Sequence, residues 1–277
     1  MENGARGGTE DVVRRAAPHL KAEYLFAPVG NKSAALNAAL GEVGDALVVF
    51  LDDDVRVPRD LLILYEQAAK AIGEGAFFGG PVAPDYEAPP LPWVVDLLPP
   101  SAKGWKLDDA TQPVRKPLFL GFNWAAYARD IRALGGFSEH FGPGAATGSI
   151  GQESQMQRRL IAAGVLGRYV PNALVYHWVP RERCSPEFAL ERTYRNGIRS
   201  GLLREDDHGL AISGYPLSLV RRAIESWCNR WLQRVRGNRE RAFLADVAYH
   251  HRSGVLRGVT LRRRGALAAD ATAGAGE

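Results

Sequence analysis

The sequence predicts an α/β protein in which helices flank a doubly wound, mostly parallel sheet. Helical and strand patterns alternate over the first 80 residues, which is the order expected of such a sheet. Within them, the six apolar residues of 46–51 lead directly into Asp52, Asp53 and Asp54. An apolar run of that length predicts a strand buried on both faces of a parallel sheet. Since ligands bind beyond the carboxyl ends of such strands, the three carboxylates are predicted to lie at a binding site.

The individual elements follow from periodicity and from start and stop signals. Pro58 suits the first turn of a helix, and Gly73 ends the apolar pattern that follows it. Helices are predicted over residues 9–17, 33–40, 58–72, 127–134 and 152–163, and strands over 24–27, 46–51, 76–80, 118–122, 169–171 and 173–176. The proline-rich segment 81–117, which contains Asp108 and Asp109, has no regular pattern. It is predicted to be an acceptor-facing loop, with a plain surface excursion as the alternative.

The C-terminal third is predicted to be helical and basic. Helices are predicted at residues 186–200, from 216 onwards and at 239–250. The second of these has apolar residues at helical spacing, with arginines on its other faces. Between Arg221 and Arg264, twelve arginines accompany only three acidic residues. We therefore predict one domain at 1–202, a helical appendage at 203–265 and a disordered tail at 266–277.

Composition excludes several classes of protein. The 277 residues carry a formal net charge of only +4, which is small for this length. Cys184 and Cys228 are the only cysteines, too few for a disulfide framework or a zinc cluster, so a reducing cytoplasm is the expected compartment. The chain opens without a signal-peptide pattern, and no run of 18 apolar residues would span a bilayer. Any membrane contact is therefore expected to be peripheral, on the inner membrane face.

The acidic cluster has two interpretations when it is considered alone. Adjacent carboxylates repel one another unless something cationic neutralises them, and hard cations such as Mg²⁺ or Mn²⁺ prefer oxygen ligands. The alternative is a solvated turn that precedes the helix after Pro58. For an isolated acidic triplet the solvated turn is favoured, so the choice depends on what surrounds it.

Several motifs, in order, resemble those of inverting family-2 glycosyltransferases with the GT-A fold, over residues 2 to about 201. These are ENGARGGTEDVVRRAA (2–17), GNKSAALNAAL (30–40), FLDDDVRVP (50–58), GFNWAAYARDIRALGGFSEHFGPG (121–144), GQESQMQRRL (151–160) and VPNALVYHWVP (170–180). FLDDDVRVP resembles the strand with the family's DxD metal motif. The resemblance implies transfer of a sugar from a nucleotide-diphosphate sugar, a co-substrate, with a divalent cation, Mg²⁺ or Mn²⁺, as cofactor.

The resemblance also implies which residues meet the donor and the metal. Those implied to contact donor or acceptor are Lys32, Asp52, Asp53, Gly121, Asn123 and Gln152. Asp54 and the late His177 are implied as metal ligands, the metal bridging the two phosphates. Four of these residues have a simpler alternative: an exposed charge for Lys32, a tight turn for Gly121, a strand-end cap for Asn123 and a packed histidine for His177.

Glu153 is the implied catalytic base. Inverting transfer needs a carboxylate that takes the proton of the acceptor hydroxyl as its oxygen attacks the anomeric carbon. The family commonly has Glu-Asp where this chain has Gln152 and Glu153, and a further acid where it has Gln155. The base would thus be one methylene longer, which bears on where the acceptor sits. The alternative is an ordinary acidic residue at a helix N-terminus.

A second departure from the family concerns the start of the chain. Members of the family begin with a strand, a helix and a second strand that hold the nucleotide base, and the resemblance here starts after them. The expectation is that a strand–helix–strand unit of about 30 residues is absent, through a late start codon or a fragmentary record. The reading frame upstream of Met1 tests this, because a stop codon immediately before it would contradict the expectation.

Two functions from different classes compete at this stage. The first is a nucleotide-sugar-dependent transferase that acts on a glycan, a lipid or a small-molecule acceptor, with residues 216–264 either lying on an anionic bilayer or packing on the domain or a second subunit. The second is a catalytically silent binding module, favoured by the missing strands and by Gln152 and Gln155. Nucleic-acid binding is not expected, since the basic segment lacks a known nucleic-acid-binding motif.

Overall fold

The chain is described by a computed structural model that covers residues 1–107, 113–116, 118–204, 210–212 and 215–266. The predicted Asp108 and Asp109, and all but the first residue of the predicted tail, lie outside these ranges. The strands are β1 (Glu2–Asn3), β2 (Phe26–Ala27), β3 (Leu47–Phe50), β4 (Val55–Arg56), β5 (Ala76–Gly79), β6 (Val82–Tyr86), β7 (Pro113–Val114), β8 (Trp124–Tyr127), β9 (Leu166–Tyr169), β10 (Val175–Val179), β11 (Ala211–Ile212) and β12 (Tyr215–Pro216). The helices are α1 (Thr9–Ala16), α2 (Lys32–Gly41), α3 (Leu61–Ile72), α4 (Pro92–Val95), α5 (Pro100–Lys103), α6 (Ala128–Ala133), α7 (Gln152–Ala162), α8 (Pro186–Leu202), α9 (Leu217–Val235) and α10 (Arg239–Leu261).

The chain folds as two compact units. The first comprises residues 1–82, 106–146 and 151–176, and the second comprises 83–105, 147–150 and 177–277. The second unit therefore contains the predicted C-terminal helices together with two earlier segments. The boundary predicted after residue 202 stays a prediction.

The first unit is built on a five-stranded sheet in the order β3-β8-β5-β9-β7. β8 lies antiparallel to both β3 and β5, β5 and β9 are parallel, and β7 is antiparallel to β9. β3, β5 and β9 thus run in one direction, and β8 and β7 run against them. The α/β prediction is confirmed, while the sheet is mixed rather than mostly parallel. An antiparallel strand inserted between two parallel ones leaves no mark in apolar periodicity, so the sequence did not reveal it.

β3 is an edge strand of this sheet, not a central one. Within the described residues its strand neighbour is β8 alone, and Leu47, Val48 and Val49 are half-buried while Phe50 is buried. The prediction of burial on both faces of a parallel sheet is therefore wrong. A continuous apolar run indicates a low-polarity surrounding on average, and it does not distinguish a central strand from an edge strand.

Different side chains cover the two faces of the sheet. On one face Phe50 stacks on Trp124, with ring centroids 4.6 Å apart, and Phe77 and Phe137 meet Trp124 edge-on. On the other face α3 contributes buried side chains to a core that includes Phe78. The predicted helix over 58–72 is confirmed by α3, whose apolar residues recur at the spacing that a sheet-packed helix requires.

Two predictions for the middle of the chain need correction. The strand expected at 118–122 is instead β8, which begins at Trp124. The segment 81–117 is not wholly irregular, because its described part contains β6, α4, α5 and β7. Short elements of two to five residues are below the length at which periodicity is informative, which explains the miss.

The second unit is dominated by α8, α9 and α10, and α8 begins as predicted. Ser185 caps it by accepting a hydrogen bond from the backbone N–H of Phe188 at 3.1 Å. α10 continues to Leu261, eleven residues beyond the His250 predicted as its end. Among the described residues, no helix has both the length and the apolar character needed to cross a bilayer.

Four glycines allow the backbones of α8 and α10 to touch. A Cβ on Gly197 or Gly201 of α8 would lie 2.2 Å from a carbonyl oxygen of α10, and one on Gly254 or Gly258 of α10 would lie 2.1 or 2.2 Å from one of α8. Small residues spaced four apart on both helices permit this approach, since any side chain would hold the axes farther apart. The spacing is present in the sequence, although the predicted end of α10 at His250 left the second pair outside the helix.

We expect Gly201→Ala to lower the free energy of unfolding by about 1–3 kcal/mol, because its methyl group forces α8 away from α10. Gly41→Ala is the matched control: Gly41 also lies in a helix, but nothing is within 4 Å of a Cβ there. That variant is expected to be neutral or more stable by up to about 1 kcal/mol. Urea denaturation checks both, and equal midpoints for the two variants would contradict the helix contact.

Candidate active site

The acidic cluster lies at one end of the five-stranded sheet, together with the segment that precedes β8. Phe50 at the end of β3 pairs with Trp124 at the start of β8. Asp52 follows β3 by two residues and Gly121 precedes β8 by three, so both lie beyond the same edge. This edge is also the carboxyl end of β5 and β9, which run in the direction of β3. Such an edge is where ligands bind in open α/β sheets.

Lys32 and Asp52 form an ion pair at this edge. Lys32 is the first residue of α2, and its Nζ donates to Oδ1 of Asp52. Their side chains are 24% and 28% exposed, so the pair is largely shielded from solvent. Lys32 therefore supplies one of the positive charges that three adjacent carboxylates require. The alternative interpretation of Lys32, an exposed charge, is therefore not supported.

The start of α2 is held rigidly, and this fixes Lys32. Oδ1 of Asn31 accepts hydrogen bonds from the backbone N–H of Ser33 and Ala34, at 3.0 and 3.2 Å, as an N-cap does. Nδ2 of Asn31 donates to the carbonyl of Glu139, and Oγ of Ser33 donates to that of Phe141. Asn31 is 8% exposed and Ser33 is fully buried, so these bonds are protected from water.

A short glycine loop, residues 142–144, connects the beginnings of α2 and α7. Gly144 has φ of +80°, and a Cβ there would lie 1.6 Å from the carbonyl oxygen of Gly30, just before α2. Gly142 has φ of +101°, and a Cβ there would lie 2.7 Å from Oε1 of Gln152, the first residue of α7. Only glycine allows both close approaches at these backbone angles. The N-terminus of α2, which carries Lys32, and the N-terminus of α7, which carries Gln152 and Glu153, therefore both contact this loop.

Glu153 lies in the first turn of α7, beside Gly121. A Cβ on Gly121 would be 3.5 Å from Cγ, Cδ and Oε2 of Glu153, so the carboxylate lies against bare backbone. The segment before β8 is tied to α7 by Gln157, whose Nε2 donates to the carbonyl of Phe119 at 2.9 Å and whose Oε1 accepts from its N–H at 3.1 Å. Gln157 is completely buried and lies one turn beyond Glu153. It explains why Gly121 and Glu153 meet.

The side chain of Asn123 makes its hydrogen bonds within the protein interior. Its side chain has no exposed surface, and Nδ2 donates to the carbonyls of Pro81 and Ala173 at 2.9 and 2.8 Å. Oδ1 accepts from the hydroxyl of Tyr65 at 2.6 Å. Burial raises the pKa of Tyr65, which keeps that hydroxyl protonated as a donor. These bonds favour the strand-end cap over contact with a donor sugar.

The remaining candidates occupy different settings. Asp53 is exposed, and with Asp54, which is half-buried, it forms the turn between β3 and β4. Gln152 is 5% exposed and packs under Gly142. His177 is 5% exposed on β10 and belongs to the second unit. Across the described ranges, no three His, Cys, Asp or Glu side chains are grouped closely enough to hold a metal ion.

Sequence reasoning missed the contacts of four residues that shape this site. Asn31 had a usable signal, because an asparagine directly before a predicted helix is a common N-cap. Gly142 and Gly144 were visible only as a glycine-rich connection, since their tertiary neighbours are distant in the chain. Gln157 had no signal at all: one glutamine within a helix gives no indication that it binds a backbone segment 38 residues away.

A solved structure has a fold similar to that of this chain. The structure of mannosyltransferase PcManGT from Pyrobaculum calidifontis in complex with GDP-Man and Mn²⁺ superposes with a TM-score of 0.52. The superposition covers 92% of this chain and 75% of that one, at 17% sequence identity. The two chains therefore share a fold, which in this chain is an α/β sheet flanked by helices and includes C-terminal helices.

At the level of sequence, the chain is similar to succinoglycan biosynthesis protein ExoM of Rhizobium meliloti (strain 1021). The two are 28% identical over 218 residues, which are 76% of this chain and 65% of ExoM. The matched part is thus slightly less than two thirds of that protein's length. No protein-family model matches the chain.

Proposed function

We propose that the chain is an inverting glycosyltransferase of the family-2 type, which moves a sugar from a nucleotide-diphosphate sugar to an acceptor hydroxyl. One observation carries this proposal. The acidic end of β3, the Lys32–Asp52 pair and the Glu153 carboxylate beside Gly121 belong to one end of one sheet, in a fold shared with a mannosyltransferase solved with GDP-Man and Mn²⁺. The similarity to a succinoglycan biosynthesis protein supports a glycan acceptor, with lipid-linked and small acceptors as alternatives.

In this proposal Glu153 is the general base. Its carboxylate takes the proton from the acceptor hydroxyl while the oxygen attacks the anomeric carbon from the face opposite the leaving group. Gly121 has no side chain beside the carboxylate, and we propose that the acceptor hydroxyl meets Glu153 on that side. Gln157 is a positioning residue, because the two hydrogen bonds of its side chain to the Phe119 backbone keep the Gly121 segment against α7.

Lys32, Asp52 and Asp54 would hold the donor. The Lys32 ammonium at the start of α2 suits an anionic diphosphate, and Asp52 keeps it oriented. Asp53 and Gln152 are proposed as further donor or acceptor contacts. The donor set fits Mg²⁺ or Mn²⁺, since a cation of this kind is commonly bound by one or two carboxylates, here Asp54, with substrate phosphates completing its shell. A bound cation would stabilise negative charge on the departing diphosphate, and His177 is proposed as a further ligand.

Two finer points belong to the same proposal. We propose that the reaction takes place in the cytoplasm, where cysteines stay reduced, and Cys184 and Cys228 are both free thiols. The half-buried β3 has only β8 beside it in the described part of the sheet, so its other edge is open there.

A screen of nucleotide sugars with Mn²⁺ tests the proposal. It is run on the 277-residue chain and on the chain extended by the upstream reading frame. We expect metal-dependent release of a nucleoside diphosphate from one donor, stimulated by a glycan acceptor and abolished by EDTA. If neither chain releases diphosphate from any UDP-, GDP- or dTDP-sugar, the silent binding module is the better account.

A further inference from the structure

One side of α9 carries a stripe of large apolar residues that is exposed to solvent. It consists of large apolar side chains whose exposed fractions run from 37% to 83%. They are Leu217, Ile224, Trp227, Trp231, Leu232 and Val235. The helix is anchored instead by its opposite side, where Leu219 and Ser226 are buried. The sequence pattern indicates an amphipathic helix, but the structure orients its apolar side outwards.

The stripe is continuous along the helix. Ile224, Trp231 and Val235 are seven and four residues apart, so they lie above one another on a helix of 3.6 residues per turn. Trp227 and Trp231 meet edge-to-face with ring centroids 6.3 Å apart. Over its 19 residues, the helix offers a surface about 28 Å long. Single exposed apolar residues are ordinary, whereas a stripe with two tryptophans marks an interaction site.

Arginines border the stripe on both sides. Arg221, which is 71% exposed and pairs with Glu225, lies within it, while the exposed Arg222 and Arg236 flank one edge. Arg234 flanks the other edge, and its guanidinium lies 5.8 Å from the Trp231 ring centroid. Tryptophan in an apolar stripe with arginine along its borders is the arrangement of helices that lie in the headgroup region of a bilayer.

We propose that α9 binds in the plane of an anionic lipid bilayer, with its exposed apolar stripe inserted among the headgroups and its arginines on lipid phosphates. Charge decides between this surface and a second copy of the chain. In a two-fold dimer the same patch faces itself, which would bring the arginines of one copy against those of the other. The surrounding segment from Arg221 to Arg264 has twelve arginines and three acids, so an anionic partner is favoured.

Vesicle sedimentation with the full chain tests the proposal. We expect the protein to sediment with vesicles of phosphatidylcholine containing about one third phosphatidylglycerol, and much less with phosphatidylcholine alone. Raising NaCl from about 0.1 M to about 1 M should weaken the binding, because salt screens the arginine contribution. Sugar transfer is not involved in the readout, so failure of the proposed enzymatic function would leave this result unchanged.

A matched pair of double variants identifies the surface. Ile224→Ala with Leu232→Ala removes two side chains that are 58% and 46% exposed on α9. Leu62→Ala with Ile63→Ala removes the same two residue types, 62% and 53% exposed, from α3. We expect the α9 pair to weaken vesicle binding at least about tenfold and the α3 pair to leave it unchanged.

Three outcomes would overturn the proposal. The first is no binding to anionic vesicles, and the second is equal binding by the two double variants. The third is a concentration-dependent dimer, measured by light scattering, that is lost in the α9 double variant and is unaffected by added vesicles. In that case a second copy covers the stripe. Thermal melting accompanies each measurement, since all four side chains are exposed and their loss should leave the midpoint unchanged.

Discussion

Glu153→Gln is expected to lower the rate of sugar transfer by about 10²–10⁴-fold, because a carboxamide cannot accept the proton of the acceptor hydroxyl. The substitution keeps the shape of the side chain beside Gly121. Donor affinity and the thermal midpoint should therefore be retained. The rate of transfer at saturating donor and acceptor is the quantity to measure, with binding of the nucleoside diphosphate measured separately.

Glu187→Gln is the matched control for this variant. Glu187 occupies the first turn of α8, as Glu153 does in α7, and it is exposed. Its loss reproduces the electrostatic change at a helix N-terminus without removing the proposed base. Equal transfer rates for Glu153→Gln and the unchanged protein would exclude Glu153 as the base, whatever the control does.

Asp54→Asn is expected to reduce transfer by about 10²-fold or more, and to raise the Mn²⁺ concentration needed for half-maximal rate. The neutral amide is a poor ligand for a hard cation, so the diphosphate loses the charge that stabilises its departure. A Mn²⁺ titration of the initial rate checks both effects. Thermal melting of the variant separates loss of metal affinity from loss of stability, because Asp54 is half-buried in the turn between β3 and β4.

Asp60→Asn controls for loss of a negative charge in the same part of the chain. Asp60 precedes α3, is exposed and makes no side-chain cap to that helix. We expect its variant to behave as the unchanged protein does. If Asp54→Asn also retained full rate with the same Mn²⁺ dependence, Asp54 would not be a metal ligand.

The local patterns of the sequence predicted individual elements well where a long amphipathic or capped segment was involved. α3, α7 and α8 begin and end within three residues of expectation, because apolar spacing, Pro186 and the Ser185 cap each act within one turn. The strand before the acidic cluster was also located correctly, as β3.

The arrangement of strands was harder to predict, since it depends on partners distant in the chain. β8 lies between β3 and β5, so the neighbour of residues 47–50 comes from residues 124–127. Neither the direction nor the register of that pairing leaves a periodic mark in either segment. The same holds for α9, whose apolar stripe left packing and bilayer contact as alternatives, because the sequence does not show which side of the helix is buried.

For the candidate site, the sequence supplied residue types while the fold supplied their contacts. Asp52 was predicted to require a cation, and Lys32 provides one from 20 residues earlier. Asn123 was predicted as either a pocket residue or a cap, and only its three internal hydrogen bonds distinguish these. Hydrogen-bond satisfaction is a property of three-dimensional neighbours, which explains why residue type alone left the question open.

In the proposed enzyme, the acidic end of β3 binds a nucleoside diphosphate through a divalent cation. Calorimetric titration of UDP and GDP into the full chain, with Mn²⁺ and then with excess EDTA, tests it most directly. We expect one nucleotide to bind in Mn²⁺ and EDTA to weaken this binding at least about tenfold. Binding of neither nucleotide, or the same affinity in EDTA, would contradict it.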